Sequence, residues 1–248
     1  MEYYIGDPAS QLDTWELQNM HDNCAVAAQT SIINQYLGSP ISLEEANYVA
    51  VSSGIYTPGA GTSPADVGLL MDIYRVPNHS VEDASIEQLA AELQQGHLVV
   101  VGVDSGELWE EGPLGEFWSW LQKAFGLDTA EFNPADHAVV VTGINVSDPE
   151  NPTVVINDPG HPEGAGKEYP LHKFKDAWEN SNFHYVSTSE PPPGNEALPF
   201  DLGNLMGLGT TFAATAFLGA DPLTAAAAGD LVNGLVSEFD WDKVLAHF

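Results

Sequence analysis

Apolar residues first recur at helical spacing at Val26, Ile32, Ile33, Tyr36 and Leu37, and Gly38-Ser39-Pro40 then supplies a stop. The spacing predicts a helix of about 14 residues with Cys24 in its first turn. Ser42-Leu43-Glu44-Glu45 resembles a capping box and leads into Ala46, Val49 and Ala50, which predicts a second helix. The Gly-rich stretch YTPGAGTSP (56–64) reads as a loop. Two further helices are expected, from about Ser63 to Tyr74 and from Ser85 to Gln95, the latter stopped by Gly96.

Beyond Gly96 the pattern changes to short β-branched runs bounded by Gly, Pro, Asn and Asp, the mark of strands. These are HLVVVGV (97–103), HAVVVTGI (137–144), TVVIND (153–158) and FHYVST (183–188), with SDPENP (147–152) as a hairpin turn between the second and third. Helices in the first half and antiparallel strands in the second put the chain in the α+β class.

Two stretches interrupt this scheme. Residues 105–135 form a long insertion with three tryptophans and five glutamates, and so long a connection inside a compact domain suits a lid or binding loop. Within it Trp109, Trp118 and Trp120 read as a packing face and Glu110-Glu111 as a solvated edge, in preference to a substrate clamp. EPPPGNEALP (190–199) reads as a stiff linker, and 200–248 turns to Gly, Ala, Leu and Thr, patterned as two weak helices joined by Asp221-Pro222. The expected organisation is a domain over 1–189, a Pro-rich linker over 190–199 and a helical appendage over 200–248. That appendage is a candidate surface for a partner or for self-association.

With 248 residues, 44% of them hydrophobic, the chain has ample material for a core. A single cysteine forms no intramolecular disulfide, so any role for Cys24 is that of a free thiol. The charge is lopsided: 36 acidic against 6 basic residues give −30, with Arg75 the only arginine. Nucleic acid and anionic membranes are thereby poor partners, since both need clustered Lys and Arg. The surface suits strong solvation or a high-salt setting, and it would also favour basic substrates. The first residues lack the basic and apolar regions of a secretory signal, and no run of 18 apolar residues occurs, so no membrane span is expected. A cytoplasmic protein is the default expectation, with export through another signal left open.

The candidate chemistry gathers around Cys24. A cysteine attacks as its thiolate, and the unpaired N–H groups and dipole of a helix start favour negative charge there. Such a nucleophile needs a base, a group that orients the base, and donors for the developing oxyanion. Gln18, six residues earlier, is near enough for its side-chain amide to join the Cys24 N–H as a two-donor oxyanion hole. His137 opens a strand, where its side chain can project into a cleft. Asp158 ends the next strand, and an antiparallel partner brings that end beside His137. Asn157 competes for the orienting role, because adjacent strand residues point to opposite faces. His21, three residues from the thiol, lacks the companion ligands of a zinc site, so no metal is expected.

In these pieces the chain resembles the papain-like cysteine proteases, within the broad bacterial group around the double-glycine leader peptidases of bacteriocin exporters. The resemblance rests on Gln18-x5-Cys24 opening a helix that ends in NQYLG, on DHAVVVTGI with His137, on VVINDPG with Asp158, and on GAGTSPADVGLLMDIYRV between helix and sheet. It covers roughly residues 12–188. It implies a two-lobed papain-like fold, the helical lobe carrying Cys24 and the sheet lobe carrying His137 and Asp158. It further implies peptide-bond hydrolysis through a thioester, with Asp158 preferred over Asn157, a peptide or protein substrate and no cofactor. The group commonly has Gly after the Cys, where this chain has Ala25. Two rival readings use the same residues: another thioester chemistry, such as transglutamination, deamidation or modifier removal, and an inactive papain-like domain acting as a scaffold.

Overall fold

The computed structural model describes residues 3–109, 135–148 and 150–194. Nine strands and six helices are labelled here in chain order. The first strand, β1 (Tyr4–Gly6), precedes the helices α1 (Cys24–Tyr36) and α2 (Leu43–Ser52). A small hairpin, β2 (Tyr56–Thr57) with β3 (Gly61–Thr62), is followed by α3 (Leu69–Ile73), β4 (Asn78–Val81), α4 (Ile86–Gln94), β5 (Val99–Val103) and α5 (Ser105–Trp109). Then come β6 (His137–Asn145), β7 (Thr153–Asn157), β8 (Lys167–Pro170), α6 (Leu171–Glu179) and β9 (Tyr185–Thr188).

Seven strands form one antiparallel sheet in the order β4-β9-β5-β6-β7-β8. β5 pairs with the first half of β6 (Val103↔His137 to Val99↔Val141), and β1 continues along its second half (Gly6↔Gly143 to Tyr4↔Asn145). Both faces are covered, which explains why β5 and β6 read as unbroken apolar runs. On one face Val100, Ala138, Val140 and Val186 pack with Val26, Ile32 and Ile33 of α1 and Leu70 and Met71 of α3. On the other, Val99, Val101, Val139 and Val141 pack with Leu89 and Leu93 of α4 and Phe174 and Trp178 of α6. Alternate residues of each strand thus serve two cores. The α+β class and the papain-like division into a Cys helix and an antiparallel sheet are as expected. Among the described residues no helix is long and apolar enough to cross a membrane.

Several local expectations are corrected. The helix expected from Ser63 to Tyr74 is a 3-10 turn (Pro64–Asp66) followed by the short α3. It breaks because Gly68 adopts φ 104° and gives its N–H to Gln29 Oε1 of α1 at 2.9 Å, a tertiary bond that local spacing cannot reveal. The stretch expected as a loop holds the β2–β3 hairpin, registered Tyr56↔Thr62. At Ser42 the hydroxyl accepts from the Glu45 N–H, whereas Ser85 and Gln88 form a complete reciprocal box at α4. Strands β1, β4 and β8 and helix α6 went unforeseen; the strands have only three or four residues, too few for a period to register. Trp118, Trp120, Glu110, Glu111 and the appendage 200–248 lie outside the described residues.

Candidate active site

Cys24 is the first residue of α1, and the loop before it is stapled by amides. Asn23, fully buried, donates from Nδ2 to Asn19 Oδ1 (2.9 Å) and Asn47 Oδ1 (3.0 Å), and accepts the Met20 N–H at 3.1 Å. Asn47 of α2 also donates to Asn19 Oδ1 at 3.1 Å. The Asn23 side chain makes no cap bond, so it leaves the N–H groups of the first turn without a side-chain cap. Ala25, where the resembled group carries Gly, is buried in the helical core.

His137 and Asp158 are brought together by strand register. β6 and β7 pair antiparallel with Val140 opposite Asn157, and a bulge between Val141 and Gly143 shifts the register. Asp158 then lies one residue past β7, beside the start of β6. Its Oδ1 is 2.7 Å from His137 Nε2, with His137 7% exposed and Asp158 fully buried. The Asn157 side chain turns elsewhere, donating to the Gln11 carbonyl at 2.8 Å and accepting the Gly166 N–H at 2.9 Å. The carboxylate, not the neighbouring amide, therefore meets the imidazole.

The loop around Asp158 is fixed at several points. Its N–H donates to the Gly164 carbonyl (2.8 Å), its carbonyl accepts from Trp15 Nε1 (2.9 Å), and its Oδ1 also accepts the Gly160 N–H (2.8 Å). With Nε2 committed to Asp158, the other imidazole nitrogen remains, and Cys24 lies near enough to act on the charge of the imidazole. Burial alone would pull the His137 pKa down, but the hydrogen bonds and charges of Asp158 and Cys24 outweigh it and raise the imidazole to about 9. The same pair, with the Trp109 and Gly160 donors, holds Asp158 below its ordinary value although burial pushes the other way. The site favours an imidazolium between an anionic carboxylate and a sulfur.

Gln18 lies against this site. Its backbone N–H donates to the Pro159 carbonyl at 2.8 Å. Its side-chain Nε2 donates within its own loop, to the carbonyls of Met20 (2.9 Å) and His21 (3.1 Å), while Oε1 is buried without a partner. An amide hydrogen for an oxyanion is thus released only by exchanging one of those bonds. His21 itself is exposed.

Trp109 does more than the packing expected of it. Its indole N–H donates to Asp158 Oδ2 at 2.8 Å, and its ring lies 5.1 Å from the His137 ring. It arrives there because α5 is tied to the residue before His137: Asp136 accepts the Ser105 N–H (2.8 Å) and hydroxyl (3.0 Å). Tryptophan next to an acidic stretch carried no local sign of this role. The Asn19–Asn23–Asn47 network was also unforeseen, although three polar turn-formers around Cys24 and α2 were visible.

Relatives were found in mycobacteria. The chain is 31% identical over 209 residues to the uncharacterized protein Rv1268c of Mycobacterium tuberculosis and equally to Mb1299c of Mycobacterium bovis, covering 74% of this chain and 84% of each relative. Among solved structures, a C39-like peptidase assignment from Bacillus anthracis aligns with TM-score 0.48 and 18% identity, over 71% of this chain and 94% of that one. The peptidase domain of Streptococcus ComA, a bifunctional ABC transporter of a quorum-sensing pathway, aligns with TM-score 0.45 and 17% identity, over 70% and 96%. The family model described as Peptidase_C39 like family matches residues 4–186, the span that contains Gln18, Cys24, His137 and Asp158, and the chain therefore belongs to that family.

Proposed function

We propose that the protein is a cysteine peptidase that hydrolyses peptide bonds through a thioester. The observation that carries this reading is the buried 2.7 Å His137–Asp158 pair, with Cys24 at the start of α1 near enough to act on the charge of its imidazole. Cys24 Sγ attacks the scissile carbonyl carbon, forming the C–S bond. The oxyanion is received by the Cys24 N–H and by Gln18 once its amide lets go of a loop carbonyl. His137 gives its proton to the leaving amine as the C–N bond breaks, and the thioester remains. Water then loses a proton to His137 and attacks, releasing the acid and restoring the pair. Asp158 holds the imidazole's orientation and balances its charge throughout.

The substrate is a peptide or protein, and a net charge of −30 favours basic ones. The catalytic domain is assigned to 1–189. Labelling with iodoacetamide tests the reading: Cys24 reacts near neutral pH in the wild type and loses that reactivity in His137→Ala, together with hydrolysis of labelled casein. A thiol that labels at the same rate with and without His137 would fit an inert scaffold instead.

A further inference from the structure

We infer that Trp109 is a positioning residue for the His137–Asp158 pair, acting with Gly160 as a two-sided clamp. The inference rests on the peptidase reading above. The carboxylate of Asp158 has three donors on two oxygens: His137 Nε2 and the Gly160 N–H on Oδ1, and Trp109 Nε1 on Oδ2 at 2.8 Å. Fixing both oxygens prevents rotation of the carboxylate about its Cβ–Cγ bond, and so fixes the tilt of the imidazole that Oδ1 holds. The Trp109 ring also packs against the same imidazole, tilted at 60° with ring centroids 5.1 Å apart. Gly160 supplies the opposing surface. A Cβ there would lie 2.8 Å from His137 Cε1 and 3.0 Å from Trp109 Cζ2, so backbone, ring and indole meet with no room for a methyl group.

The indole therefore makes two separable contacts: its N–H orients the carboxylate, and its ring packs against the imidazole. Trp109→Phe removes the first and keeps most of the second; Trp109→Ala removes both. Gly160→Ala keeps its N–H and, since Gly160 does not need a positive φ, meets no backbone penalty. It acts only through the collision with His137 and Trp109.

The test is the pH profile of Cys24 alkylation by iodoacetamide, which needs no knowledge of the natural substrate. An imidazolium held beside the sulfur sustains alkylation at pH 6, where a free thiol is almost wholly protonated. Trp109→Phe should lower the pH 6 rate about tenfold, and Trp109→Ala and Gly160→Ala about a hundredfold, the effect of about an ångström of misplacement. At pH 9.5 all should approach the wild-type rate. Circular dichroism melts verify that each variant is folded. A folded Trp109→Phe variant with a pH 6 rate within twofold of wild type overturns the inference, as does an equal loss at both pH values, which would indicate a merely structural role. If wild-type alkylation is itself independent of His137, the peptidase reading fails and takes this inference with it.

Discussion

Gln18 gives its backbone N–H to the carbonyl of Pro159 at 2.8 Å. One bond thus joins the loop that leads to the candidate nucleophile to the loop that carries the Asp158 carboxylate. Trp15, bonded through Nε1 to the Asp158 carbonyl at 2.9 Å, adds a second tie. The spacing of sulfur and ion pair is therefore set by loop backbone as well as by the two cores beneath it, and several consequences can be measured.

Asp158→Asn preserves shape but turns one accepting oxygen into an NH2 group, so either the Trp109 donor on Oδ2 or the His137 and Gly160 donors on Oδ1 lose their acceptor. The imidazole loses its counter-charge, and its pKa should fall toward the ordinary histidine value of about 6.5. Casein hydrolysis should drop about a hundredfold or more. Activity within threefold of wild type would show that the charge is not used.

The pH dependence follows from the same pair. His137 is raised above its ordinary value, so the imidazolium form is fully present below about 6.5 and is lost as pH rises through about 9. Asp158 is depressed, so its contribution is present above the usual carboxylate range and is lost only in acid. Hydrolysis should accordingly show an alkaline limb near pH 9. A limb near 6.5, measured by initial rates across pH 5 to 10, would contradict the coupling.

Gln18→Ala separates oxyanion binding from thiol activation. Hydrolysis should fall about 10²- to 10³-fold, the usual loss of one oxyanion donor. Iodoacetamide labelling, which passes through no oxyanion, should stay within threefold. Parallel losses in both assays would assign Gln18 to loop structure alone, through its bonds to the Met20 and His21 carbonyls.

A second polar cluster should govern stability rather than activity. Glu92 of α4 accepts from His97 Nδ1 (2.6 Å), His79 Nε2 (3.2 Å), Tyr185 Oη (3.2 Å) and Ser187 Oγ (2.7 Å), joining α4 to β4 and β9. Burial pushes its pKa up, yet His97, Ser187 and His79 hold it at about 2. Being depressed, it stabilises the fold above the ordinary range of about 4.5, and that contribution is lost as pH falls through about 2. Glu92→Gln should cost about 1–2 kcal/mol in urea unfolding at neutral pH, the loss of hydrogen bonds to a charged group, while leaving Cys24 labelling intact. An unchanged unfolding midpoint would mean the cluster is already screened by solvent.

Charge should also show in substrate choice. With −30 on the chain, peptides carrying Lys or Arg near the scissile bond should be cleaved faster than acidic ones at low salt, and the gap should close as salt rises. Equal rates at low salt would restrict the acidic surface to solvation.

Some of this was legible along the chain because it is local. Helix α1 starting at Cys24, α4 closed by Ser85 and Gln95, and the runs of β5, β6 and β7 each follow from a period and a stop that a dozen residues contain. The helix break at Gly68 was not legible, because its cause is a buried glutamine on another helix. The short β1, β4 and β8 owe their existence to a neighbouring strand, which no period within three or four residues records.

The groups at hand and their order are written in the chain: Gln18 and Cys24 at a helix start, His137 at a strand start, and adjacent Asn157 and Asp158 at a strand end. The chain also determined that the two strand residues must face opposite ways, since side chains alternate along an extended chain. Only the tertiary structure decided which of them meets His137, because that depends on the bulge in β6 against β7. The bonds of α5 to Asp136 likewise decided that Trp109 adds a hydrogen bond to the Asp158 carboxylate. Local pattern is a property of one segment, whereas convergence of side chains on a point is set by register and loop geometry among segments far apart in the chain.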